Sequence, residues 1–148
     1  MRSGHLTHMA IRVLDWLGGH TLPAENVPAH QLTGRRGEEA AYFYLRKRGY
    51  TIVARNFRSP NHHGEIDLIG WHHNTLCFIE VKTRTTRAVK PAEAAVDRAK
   101  LRDLSAVARD YLRQLPTPCP WRFDVVSIYY DSASVPQLEL FQNVSLQA

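Results

Sequence analysis

The stretch Gly64-Glu65-Ile66-Asp67-Leu68-Ile69-Gly70-Trp71-His72-His73-Asn74-Thr75-Leu76-Cys77-Phe78-Ile79-Glu80-Val81-Lys82 reads as two strands around a polar turn. Successive side chains of a strand point to opposite faces. Glu65, Asp67 and Ile69 therefore share one face of the first run, opposite Ile66 and Leu68, while Leu76, Phe78, Glu80 and Lys82 share a face of the second. A four-residue hairpin loop over residues 72–75 sets Trp71 against Leu76, Ile69 against Phe78, Asp67 against Glu80 and Glu65 against Lys82. Side chains so opposed have Cβ atoms about 5 Å apart, where two carboxylates repel and destabilise the sheet. A bound divalent cation compensates most economically, because Mg²⁺ (or Mn²⁺) takes hard oxygen ligands, commonly one or two carboxylates completed by water and phosphate. Such an ion polarises a phosphoryl oxygen and acidifies an attacking water. Lys82, on the face of Glu80, is placed to orient that water or to stabilise developing negative charge, and the Val81 carbonyl is a candidate further oxygen ligand.

The competing reading makes the same charges ordinary cross-strand ion pairs on a wet sheet, each worth about 0–1 kcal/mol. Ile69 and Phe78, interleaved among the charges, argue against a fully solvated face.

Working outward, residues 33–48 have helical spacing, with Thr33 as a candidate cap, Ala41, Tyr42 and Leu45 on one stripe and Gly49 as the stop. Glu38 falls on that stripe while Glu39 points elsewhere, so Glu38 is either an inward-facing site acid or a first-turn carboxylate answering the helix dipole. Further strands are expected over 50–57, 65–71, 76–84, 122–130 and 137–141. A long helix is expected over 91–115, with Leu104, Val107, Ala108, Tyr111 and Leu115 on one stripe and Arg98, Arg102 and Arg109 opposite. Pro116, Pro118 and Pro120 end it. Residues 1–32 read as an appendage, comprising a short amphipathic helix over 9–17 and a linker over 20–32. Residues 33–148 form the domain proper.

With 148 residues, 44% of them hydrophobic, the chain supports one core and no second full domain. A formal charge of +5 favours a polyanionic partner. Arg84, Arg87, Lys90, Arg98 and Lys100 follow the second acidic strand and suit a phosphate track, of which Arg84, Lys90 and Lys100 are the candidate nucleic-acid contacts. Cys77 and Cys119 have no metal-ligand spacing and are expected to be reduced and structural. His62-His63 and His72-His73 are expected to be solvated turn residues, since adjacent side chains on extended backbone diverge. No run approaches the length of a membrane span and no signal-peptide core stands at the start, so a cytoplasmic protein is expected.

The run 64–69 followed by Phe78-Ile79-Glu80-Val81-Lys82-Thr83-Arg84 resembles the PD-(D/E)xK nuclease superfamily, and within it the small bacterial YraN-like family related to archaeal-type Holliday junction resolvases. The similarity extends through Gly34, Glu38, Arg55-Asn56, Lys100 and Arg122-Phe123-Asp124-Val125-Val126, roughly residues 33–130. It implies an α/β fold with a restriction-endonuclease-like αβββαβ core and a mixed sheet flanked by helices. It also implies Asp67 and Glu80 as metal ligands, Lys82 as the catalytic lysine, and Glu38 as the first-helix acid. The proline nominally before the aspartate is Ile66 here, a structural position that varies. The expected activity is Mg²⁺-dependent cleavage of DNA, in a homodimer if both strands of a junction are cut symmetrically. The alternative is a nuclease-fold scaffold that binds nucleic acid without cutting it.

Overall fold

The computed structural model describes residues 29–84, 98–130 and 135–144, the side chains of 29–33, 84 and 98 excepted. Helix α1 spans Ala29–Lys47, β1 Tyr50–Arg58, β2 Glu65–His72, β3 Thr75–Arg84, α2 Arg98–Arg113, β4 Trp121–Tyr129 and β5 Gln137–Phe141. The strands form one sheet in the order β1-β2-β3-β4-β5. β3 and β4 are parallel, and the remaining neighbours are antiparallel. A parallel pair requires a long crossover, and α2 lies in it. The order αβββαβ is thus the observed one, extended by β5.

Alternation along the central strands distributes the core to both sides of the sheet. Leu68, Cys77 and Ile79 pack with Ala41, Tyr42 and Leu45 of α1. Their neighbours Ile69, Leu76 and Phe78 pack with Leu104, Val107 and Ala108 of α2. The two helices therefore cover opposite faces, which is why β3 carries an unbroken apolar run from Leu76 to Ile79. Phe78 is its centre, with the rings of Tyr111, Trp121 and Phe123 about it at centroid distances of 6.0, 5.8 and 5.8 Å. The alternation breaks at one place. Ile66 joins the cluster of Ile69 rather than that of Leu68, so period two fails across Asp67.

Several boundaries differ from expectation. α1 starts at Ala29, four residues before Thr33, so Thr33 is inside the helix and does not cap it. Residues 29–32 contain neither Pro nor Gly, so nothing in their sequence opposes a helix that begins before Thr33. At the other end Gly49, at φ +87°, follows bonds from Arg48 N–H to Leu45 O (2.9 Å) and Gly49 N–H to Arg46 O (3.2 Å). The left-handed backbone there is the reason for glycine. The helix expected over 9–17, the linker before Ala29 and residues 91–97 of the second expected helix lie outside the described residues.

Two polar clusters fasten the scaffold. At the ends of β1, β4 and β5, fully buried Asp124 accepts from Arg122 Nε (2.8 Å), Arg122 Nη2 (3.2 Å), Tyr50 Oη (2.9 Å) and the Asn143 backbone N–H (2.9 Å). Burial pushes the Tyr50 phenol up to about 12. His72 belongs to this cluster and not to a turn, being stacked on Tyr50 at 4.3 Å with Nδ1 3.1 Å from Arg122 Nη2. Across the molecule Asp110 of α2 accepts from Ser59 and is paired with Arg113. The Ser59 hydroxyl holds the Asp110 carboxyl below the usual carboxylate range, and the β1–β2 connection is tied to α2.

Gly37 fixes how closely α1 approaches β3. A Cβ at residue 37 would overlap Thr83 Oγ1, with Ile128 Cδ1 at 3.5 Å behind it. Gly37→Ala is expected to lower stability, because overpacking of about 1–3 kcal/mol exceeds the roughly 1 kcal/mol that alanine gains in helix propensity. Adding Thr83→Ala removes the overlapping atom. Urea denaturation of both single variants and the double variant should show Thr83→Ala costing less in the Gly37→Ala background than alone.

Candidate active site

The site is made where β2 and β3 part. Their antiparallel ladder runs from His72↔Thr75 through Trp71↔Leu76, Gly70↔Cys77 and Ile69↔Phe78 to Leu68↔Ile79, and ends there. This is the register inferred from the hairpin, carried on a tighter turn: His72 and Thr75 are themselves paired, leaving His73, at φ 54°, and Asn74. Beyond the last pair the Val81 N–H donates to Asp67 Oδ2 at 2.7 Å. Had the ladder continued, that N–H would have met the backbone of Ile66. A side-chain carboxylate stands in for it, satisfying the donor while opening the sheet.

The expected opposition of Glu65 and Lys82 does not form. Glu65 is in register with Arg58 of β1 and ion-paired to it, while Lys82 is in register with Ser127 of β4. The ladder ends at Leu68↔Ile79, before that pair is reached, so the expected Asp67–Glu80 pair is not a ladder pair either; the two carboxylates lie just past its last rung.

Glu80 is 7% exposed, and its Oε1 accepts a hydrogen bond from Lys100 Nζ and is ion-paired with Lys82 Nζ at 2.8 Å. Lys100 was expected on a phosphate track and instead reaches from the first turn of α2 to the acidic centre. Burial by itself lowers the Lys100 ammonium, but its bond to Glu80 and the nearby charges outweigh that and raise it. Asp67 is pushed up to about 7, by burial first and then by the charge of Glu80, with Glu38 adding to the rise against the Val81 N–H and Lys100. Asp67 thus feels an acid from the α1 side of the sheet and a lysine from the α2 side.

Glu38 lies in the third turn of α1, past the reach of the dipole at the helix start, so that explanation of its carboxylate fails. Oriented to suit its neighbours, the Asn56 amide donates to Glu38 Oε2 (3.2 Å) and Glu65 Oε1 (3.0 Å). Burial, then Glu65, raises the Glu38 carboxyl, opposed by Asn56, Arg35 and Arg55. The resemblance named Asn56 without giving it a role. Its place explains one: Arg55↔Leu68 and Phe57↔Ile66 flank it, putting Asn56 beside Asp67 on the neighbouring strand at φ 49°, a conformation asparagine tolerates better than most residues.

Among the described residues no group of three or more His, Cys, Asp or Glu converges on a single ion position. Glu38 accordingly does not complete a three-carboxylate cluster with Asp67 and Glu80. The donor set is two carboxylates, Asp67 and Glu80, held at the end of a ladder. That set fits Mg²⁺ or Mn²⁺, which use one or two carboxylates and leave positions for water and phosphate. Val81 contributes its N–H to positioning Asp67, and its carbonyl belongs to the same strand segment. The side chain of Arg84, and Lys90, lie outside the described residues. Cys77 and Cys119 are free thiols.

These features define a class: α/β proteins in which a mixed sheet between two helices carries a carboxylate pair and lysines where its central hairpin opens. The family model described as "Uncharacterised protein family UPF0102" matches residues 37–128, which hold the whole site. A UPF0102 protein of Koribacter versatilis is 54% identical over 95% of this chain and 94% of its own length. Relatives in Solibacter usitatus (44%; 72% of this chain, 80% of theirs) and Geotalea uraniireducens (41%; 72% and 83%) carry the same family name. The chain belongs to the UPF0102 family. Among the described residues no helix is long and apolar enough to cross a membrane.

The raised Asp67 carboxyl has a measurable consequence. In the folded protein it holds its proton up to about pH 7, whereas an unfolded aspartate releases it near pH 3.9. Folding is therefore favoured by this group below about pH 4, and that contribution is lost as pH rises through 7. Asp67→Asn keeps an acceptor for Val81 and never ionises. With chelator present, the variant should exceed the parent in stability by on the order of 1 kcal/mol at pH 8, with the gap closing towards pH 4. Urea melts at both pH values check this, and an equal gap at both contradicts it.

Proposed function

We propose that this UPF0102 protein is a metal-dependent endonuclease that hydrolyses phosphodiester bonds in DNA, with structured or branched DNA as its favoured substrate, in repair, recombination or uptake within the cytoplasm. The observation that carries this reading is the placing of half-buried Asp67 and buried Glu80 at the open end of the β2–β3 ladder, each within the other's electrostatic reach, with Lys82 ion-paired to Glu80. Asp67, Glu80 and the Val81 carbonyl would hold Mg²⁺ or Mn²⁺, which when bound supplies phosphoryl polarisation and an acidified water. The chain's own residues do the rest. The Val81 N–H fixes the Asp67 carboxylate, and Lys82 offsets anionic charge and orients the nucleophile. Asn56 keeps Glu38 turned toward the same region. Arg84 and Lys90 follow the site in sequence and suit the flanking phosphates, where binding is electrostatic.

The test is a panel of linear duplex, single-stranded and four-way-junction DNAs with Mg²⁺, Mn²⁺ or chelator. Cutting is expected with either ion and not with chelator, and Asp67→Asn, Glu80→Gln and Lys82→Ala should each reduce it by about a hundredfold or more. Parental rates in any of the three overturn the assignment. Binding of every DNA without cutting of any favours the scaffold reading instead.

The net charge of +5 generates a separate expectation for binding. Affinity for labelled duplex, measured in chelator so that no cutting intervenes, should fall steeply between low and moderate salt as counterions are released. A salt-independent affinity would rule out phosphate-directed contact.

A further inference from the structure

Both lysines of the site lie against the same atom. Lys100 Nζ donates a hydrogen bond to Glu80 Oε1, and Lys82 Nζ is ion-paired with that same oxygen at 2.8 Å. Two ammonium groups thus neutralise one carboxylate. A divalent cation held by Glu80 has to compete with them for that charge.

The two lysines are not equally replaceable. Lys82 projects from a central strand, where β3 is paired with β4 at Ser127, only two residues from Glu80, and its side chain is 24% exposed. Lys100 crosses from the first turn of a helix in the next layer, and its side chain is 42% exposed. Lys82 remains beside Glu80 whichever bonds it makes, whereas Lys100 is held there chiefly by this contact and has solvent into which to withdraw.

We infer that Lys100 is a tethered counter-cation for Glu80 that competes with a divalent ion for this carboxylate, so that this helix residue sets the affinity and selectivity of the site for metal. The inference rests on the metal-binding reading of Asp67 and Glu80 given above. It assigns Lys100 a positioning role different from contact with a phosphate. It also explains how a buried carboxylate is tolerated in a folded chain: the helix brings its own positive charge to it.

Mn²⁺ binding, followed by calorimetry and by loss of the free-ion paramagnetic signal, tests this without reference to activity. Lys100→Met should tighten Mn²⁺ binding by about tenfold, an ordinary coupling between two ligands competing for one site. Lys100→Arg keeps the charge and should not tighten it. Arg102→Gln, which removes an exposed charge from the same turn of α2, calibrates the general electrostatic gain and should fall well short of Lys100→Met. Lys100→Gln supplies a second neutral variant should the methionine variant not fold, with the same tightening expected. If Lys100→Met and Lys100→Gln bind no more tightly than Arg102→Gln, or if only Lys82→Met tightens binding, the inference is overturned while the metal site stands. If neither the parent nor any Lys100 variant binds Mn²⁺, the metal reading falls and this inference with it.

Discussion

The hydrogen bond from the Val81 N–H to the Asp67 carboxylate is the interaction around which the site is arranged. An antiparallel ladder that continued past Leu68↔Ile79 would have satisfied that donor with backbone and left no room between the strands. Using a side chain keeps the accounting of buried N–H groups complete while separating β2 from β3. Period-two alternation fails at the same residue, with Ile66 on the α2 side and Leu68 on the α1 side. The opening, the half-buried carboxylate and the change of face are one structural event.

That opening allows two opposed layers to communicate. A continuous sheet separates the helices packed on its faces, so a residue of α1 and a residue of α2 ordinarily have no common neighbour. Here Asp67 responds both to Glu38 of α1 and to Lys100 of α2. The charges are graded across the gap: Glu65, Asn56 and Glu38 on one side, Glu80 with its two lysines on the other. Gly37 contributes by letting α1 lie close against Thr83 of β3, where a larger residue would hold the helix and Glu38 away.

Much of this was legible in the sequence because it follows from local periodicity. The register of Trp71 with Leu76 and Ile69 with Phe78 comes from a polar turn between alternating runs, and a one-residue slip would have sent every apolar side chain to the wrong face. The same argument sets Asp67 against Glu80, one step past the last pair that the ladder forms. The failures share a cause, namely that extrapolating a pattern assumes that it continues. Glu65 and Lys82 were paired by extending a ladder that stops. Thr33 reads as a cap because it precedes the apolar stripe, although Ala29, His30, Gln31 and Leu32 are equally able to be helical. Lys100 and His72 were assigned by composition, a basic strip and a polar turn, whereas their partners Glu80 and Tyr50 lie 20 and 22 positions away in the chain. Periodicity carries no information about contacts of that kind.

The Asp124 cluster bears on the order in which the chain acquires its structure. Its donors come from far apart: Tyr50 is 74 positions from Asp124, and Gln142, which donates to Tyr50 Oη at 2.8 Å, is 92 positions from that tyrosine. The β1–β2–β3 meander is built from short-range pairings that form quickly, whereas closing loops of this length is slow. During synthesis the buried aspartate lacks the Asn143 N–H until the last segment described here has left the ribosome. A buried carboxylate that lacks one of its donors is less stable than one fully satisfied, so closing the β4 edge before that segment arrives is disfavoured although Arg122 and Tyr50 already donate. The same network that fastens the finished sheet thereby couples a late-made segment to the completion of the sheet around it.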